Sequence, residues 1–162
     1  MSNSVFDAFK PINVVLPYGF GFVGLAATGG LWLNFWQMFL VSKARKASGV
    51  KYPQMYASKE EQEKSKEALM FNCVQRAHQN TLENMPMYLT TLFLTGLRYP
   101  RLAVGFSSIW LVGRVLYTTG YASGDPSGRV TGAKVGAVGI LGLLLSATWS
   151  TIAFITETGG KI

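Results

Sequence analysis

Arg76, Asn80 and Glu83 recur at spacings of four and three in an otherwise largely apolar stretch. On a helix, at about 100° per residue, they fall on one narrow stripe, and Asn72 extends it by a turn. Further along, Arg114, Tyr117 and Tyr121 follow the spacing i, i+3, i+7 and again share a face. Arg45 and Arg129 stand at the edges of two other apolar runs. An ionisable group inside a membrane span costs about 2.5–3.5 kcal/mol at the helix centre, so this set calls for a reason. Guanidinium groups recognise carboxylates in a planar, two-pronged fashion. Glu83 can hold an ammonium, and Asn80 can both donate and accept. A small, strongly anionic ligand carrying one positive group uses all of these. A second reading is structural: Arg76 and Glu83 neutralise each other and join helices, while Arg45 and Arg129 anchor helix ends at the lipid headgroups.

The elements that must position these groups are apolar spans. Charged residues are 14% of the 162, against roughly 25% in soluble domains, and they cluster in a few windows. Spans of about the 20 residues a bilayer requires are expected at 18–41, 67–97, 102–122 and 131–156, with a polar loop at 42–66. All four are expected to be helices, because lipid leaves no water to satisfy an open strand edge. The fold class is thus all-α, a single domain over 1–162 forming an integral membrane four-helix bundle. Pro86, one turn beyond Glu83, is expected to kink the second span and widen its polar cleft.

Lys and Arg concentrate in the loops after spans one and three, at Lys43, Arg45, Lys46, Lys51, Lys59, Lys64, Lys66, Arg129 and Lys134. The other side holds only Lys10, Arg98, Arg101 and Lys161. The positive-inside rule then places the two basic loops in the cytosol and both termini across the membrane. The stretch from Met1 to Pro11 lacks a basic start followed by a short apolar core, so the first span is expected to be retained as an anchor. Arg76 and Arg114, inside the second and third spans, and Arg45 and Arg129, at the ends of the first and fourth helices, are expected to lie towards the same cytosolic leaflet. The fourth span carries Gly132, Gly136, Gly139 and Gly142, a spacing that lets backbones approach within the bundle or between subunits.

Composition also excludes several classes. The net charge of +7 comes with no basic arm interleaved with aromatics, which argues against nucleic acid. One cysteine, Cys73, and one histidine, His78, leave no internal disulfide and no transition-metal site.

The run Phe71-Asn72-Cys73-Val74-Gln75-Arg76-Ala77-His78-Gln79-Asn80-Thr81-Leu82-Glu83 closely resembles the signature of the membrane-associated proteins in eicosanoid and glutathione metabolism. Within that superfamily the chain looks most like the microsomal glutathione transferases of the third type. Val41-Ser42-Lys43-Ala44-Arg45-Lys46, Tyr52-Pro53-Gln54-Met55-Tyr56, Gly113-Arg114-Val115-Leu116-Tyr117 and Gly120-Tyr121 match as well. The resemblance implies a homotrimer that binds glutathione, as co-substrate, between subunits near the cytosolic leaflet. It implies that Arg76, Asn80, Glu83, Tyr117, Tyr121 and Arg129 line one subunit's part of the site, with Arg114 beside the thiol end. Arg45 and His78 would reach in from the neighbour; for His78, a hydrogen bond within its own bundle fits equally. Arg129 matches the arginine that stabilises the glutathione thiolate, while Asn84 stands where the leukotriene C4 synthase branch has an aromatic residue.

The implied chemistry is thiolate attack on a lipophilic electrophile, including leukotriene C4 synthase-like conjugation, or reduction of a lipid hydroperoxide. The implied location is the endoplasmic reticulum membrane, with the mitochondrial outer membrane second. Two rivals stay open: a non-catalytic lipid-binding scaffold of the same fold, and an accessory subunit of a larger membrane complex.

Overall fold

The computed structural model describes residues 15–157. Met1 to Pro11, including Lys10 of the orientation argument, and Lys161 lie outside that range. The described residues form helix α1 (Phe20–Ser48), a short α2 (Lys59–Lys64), α3 (Lys66–Gly96), α4 (Pro100–Tyr121), a 3-10 turn (Pro126–Gly128) and α5 (Arg129–Glu157). There is no strand among them.

Three of the long helices follow the expected bounds within a residue or two, but α1 runs seven residues past 41. The reason is local. Ser42 to Ala47 are compatible with helix, and Arg45 and Lys46 in the last turn complement the negative end of the helix dipole. The helix stops at Gly49, whose φ of 71° suits glycine and whose amide returns to the carbonyl of Arg45. The loop also holds a helix that hydropathy does not reveal. Ser58 and Glu61 form a reciprocal capping box at the start of α2. Ser65 then caps α3 through the amide of Ala68. Helix α3 runs on through Pro86 without interruption, and α4 begins with Pro100, where a missing N–H costs nothing.

The long helices pack α1 on α3, α3 on α4 and α5, and α4 most extensively on α5. Tyr88 and Trp110 stack at 4.0 Å in the centre, among Val23, Ala27, Leu33, Leu92 and Leu143. The Tyr88 hydroxyl is 2.7 Å from Ser107 Oγ and donates to the carbonyl of Ala26 at 2.8 Å.

The fourth-span glycines find their partner inside the chain. A Cβ on Gly132 would sit 2.0 Å from the amide nitrogen of Tyr117, and one on Gly139 would sit 2.4 Å from that of Trp110. Helices α4 and α5 therefore touch backbone to backbone, which only glycine permits. By length and composition, α4 and the segment Pro126–Glu157 are apolar enough to cross a membrane. The polar residues of α1 and α3 keep those two below that level.

Candidate anion-binding site

Helix α4 presents Arg114 to α3. The side chain is 6% exposed, and every hydrogen bond it makes is to a neutral group. Nε and Nη2 donate to Thr81 Oγ1 at 3.1 and 2.7 Å, Nη1 to Asn80 Oδ1 at 2.9 Å, and Nη2 also to the carbonyl of Ala77 at 3.3 Å. Its guanidinium carbon lies 4.4 Å from the centre of the Tyr117 ring. Among the described residues no carboxylate pairs with it. A buried guanidinium held only by dipoles keeps an electrostatic preference for an anion that the described residues leave unfilled.

Tyr117 meets Tyr121 edge to face at 5.7 Å, and the hydroxyl of Tyr121 accepts from Arg129 Nη1 at 2.8 Å. Spacing along α4 thus links two arginines through two rings: Arg114 lies over the first and Arg129 binds the second. Both tyrosines are buried with Cys73 and Ala77 of α3. Arg129 is placed at the first position of α5 by the turn before it, where the Asp125 carboxylate accepts from the Ser127 amide and hydroxyl. These bonds hold the Asp125 carboxyl below its usual range.

Arg76 and Glu83, two turns apart on α3, bond at 3.2 Å. Their side chains are 47% and 44% exposed, so the pair lies on a face of α3 that the described residues do not cover. Asn72, expected to extend the stripe, instead turns to the loop. It accepts from the Ala57 amide at 2.7 Å and donates to the Ala57 carbonyl at 2.9 Å.

Arg45 stands apart. It lies between the rings of Tyr52 and Phe71, at 4.3 and 4.5 Å, and donates to the carbonyls of Gln54, Val50 and Met55 at 2.7, 3.4 and 3.4 Å. In this chain it organises the loop after α1. His78 is half-buried, and its Nδ1 is enclosed without a partner among the described residues. The structure therefore links Asn80, Arg114, Tyr117, Tyr121 and Arg129 by direct contacts, pairs Arg76 with Glu83 on the exposed face of α3, and leaves Arg45 and His78 with other surroundings.

Sequence reasoning missed Gln37, Thr81 and Thr118. Gln37 Nε2 donates to Thr81 Oγ1 at 2.9 Å and to Thr118 Oγ1 at 2.7 Å, tying α1 to the helices that hold Arg114. One signal was available: Asn34 and Gln37 are the two amides of the apolar run expected as the first span, and an amide in such a run needs a partner. Between α1 and α4, an apolar groove of about 490 Å³ lined by Trp32, Trp36, Leu111 and Val115 opens at a similar depth to Arg114.

The model of the MAPEG family matches residues 23–149, which takes in all of these groups. An uncharacterized protein of Synechocystis sp. is 34% identical over 84 residues, 49% of this chain and 61% of the relative. The match thus covers less than two thirds of that protein's length.

Proposed function

The chain belongs to the MAPEG family, and from that premise we propose that it is a membrane-bound glutathione transferase or peroxidase. The family includes glutathione transferases and related proteins. The observation that carries the proposal is the buried Arg114 without a carboxylate partner among the described residues, linked through Tyr117 to the Tyr121–Arg129 pair and bonded to Asn80, which shares α3 with the Arg76–Glu83 pair. Glutathione carries two carboxylates, one ammonium and a thiol, a composition that this set complements.

In the proposed mechanism the nucleophile is the glutathione sulfur. Arg129, with Arg114 nearby, favours the charged thiolate by proximity. Arg76, Asn80 and Glu83 hold the ends of the tripeptide, so that the sulfur is oriented before reaction. For conjugation, the thiolate forms a carbon–sulfur bond to a lipophilic electrophile arriving through the bilayer, and the leaving group or the added proton balances the charge. For peroxide reduction, two glutathiones become the disulfide while the hydroperoxide becomes alcohol and water. The site is expected to be completed by a neighbouring copy, because Arg76 and Glu83 lie on an uncovered face. The assembly we propose is a homotrimer of four-span subunits related to the third-type microsomal transferases. It would reside in the endoplasmic reticulum membrane with both termini on the non-cytosolic side; Arg45 and His78 would enter the neighbour's site.

One observation favours a second reading, a lipid-presenting scaffold: Arg76 and Arg45 are both satisfied within the chain. Ultraviolet difference spectroscopy of the detergent-purified protein, titrated with glutathione near neutral pH, separates the two. We expect a saturable thiolate band that Arg129→Ala removes. We also expect Arg76→Ala and Glu83→Ala to weaken binding about tenfold or more each, while Arg129→Ala lowers turnover more than binding. No band and no calorimetric binding would leave the scaffold.

A further inference from the structure

The geometry points to Gln37 as a positioning residue that fixes the Arg114 guanidinium at the thiol end of the site, a role that rests on the glutathione reading above. The Gln37 side chain is 1% exposed, within an apolar span. Its amide nitrogen makes two bonds, one to a hydroxyl on α3 and one to a hydroxyl on α4. Both hydroxyls already commit their single hydrogen elsewhere: Thr81 Oγ1 donates to the carbonyl of Ala77 at 3.1 Å, and Thr118 Oγ1 to that of Arg114 at 2.8 Å. Their oxygens can then only receive, which fixes the Gln37 amide with nitrogen towards them.

The consequence is specific to Arg114. One N–H of Gln37 holds the hydroxyl that receives the guanidinium. The other holds the hydroxyl bonded to the main-chain carbonyl of the same arginine. Gln37 thus grips Arg114 from both its side chain and its backbone without touching it. Packing alone does not account for an amide here. Gln37 Oε1 is buried with no partner among the described residues, an unfavourable state that methionine of similar shape avoids. Among the described residues, the ionisable group in contact with Arg114 is Tyr117 on its own helix, which meets Tyr121, itself bonded to Arg129 of α5. Helix α1 adds only the neutral amide.

The test uses the full-length protein in detergent, glutathione as probe, and the thiolate band followed against pH. Gln37→Met keeps the volume and removes the N–H groups; Thr118→Val removes one of the two hydroxyls. For both we expect the band's midpoint to rise by about one pH unit. Turnover with a chromogenic aryl halide should fall about tenfold, with the glutathione KM little changed. A midpoint unchanged in both variants, whatever happens to their melting temperature, overturns the positioning role. So does a Gln37→Met protein that no longer folds, since the side chain would then be structural. A wild type without any band defeats the glutathione reading itself, and the Gln37 role with it. A wild-type band that neither variant shifts defeats the Gln37 role alone.

Discussion

Arg45 shows how much of a residue's role depends on what the backbone places around it. Its type and its position after the first span fit a ligand-binding arginine, yet three carbonyls of residues 50–55 and two aromatic rings enclose it. Replacing it with alanine should release that loop at a cost of about 1–3 kcal/mol, since hydrogen bonds to a charged donor are lost. Hydrogen exchange at residues 50–57 should rise accordingly. If glutathione affinity falls while loop protection holds, Arg45 acts in a neighbour's site instead. Arg114 is the converse case. Its presence in a span was legible, and so was its shared face with Tyr117 and Tyr121. Its dependence on Thr81, Thr118 and Gln37 was not, because those residues are far apart in sequence.

The elements divide by the kind of signal that specifies them. Glycine spacing on α5 announces a close contact, and packing against α4 gives the partner. Gly132→Val forces a side chain into the Tyr117 backbone, and overpacking of this kind costs about 1–3 kcal/mol or more. A lower melting temperature and a poor yield of folded protein from detergent extraction are expected, whereas Gly21→Val, with open space around it, should be tolerated. Helix α2 depends on Glu61, whose carboxyl is held below its usual value first by the Ser58 amide, then by the Gln54 and Ser58 side chains. A depressed carboxyl contributes stability above its unfolded pKa and loses it as pH falls through the folded one. Residues 58–64 should therefore lose exchange protection below about pH 4, and Glu61→Gln should lose that pH dependence.

At the scale of the whole molecule, one face of α3 remains uncovered by the described residues. Arg76, Glu83, Met87, Leu94 and Leu97 are exposed along it, polar at one end and apolar at the other. A lipid-facing surface does not carry a half-exposed ion pair without cost, whereas a second copy offers both polar and apolar partners. Native mass spectrometry of the solubilised protein is expected to report a trimer, which Met87→Arg and Leu94→Arg together should dissociate. A stable monomer that still binds glutathione would place the entire site in one chain. The family match over residues 23–149 takes in the α3 face.

Composition and periodicity by themselves determined the all-helical class, the positions of the long helices and the helical faces that carry chemistry. Those properties arise from residues within one or two turns of each other. Hydropathy did not reveal α2, because a capping box depends on two hydroxyl and carboxylate contacts rather than on a run of apolar residues. Nor did it reveal the end of α1 at Gly49, where propensity carries the helix past the last apolar residue. Only the tertiary structure decided that Arg114 rests on neutral dipoles, that Arg45 serves the loop, and that Gln37 joins three helices at one depth. Each of these joins residues on separate elements, and the distance between such residues is set by packing, which no local spacing encodes.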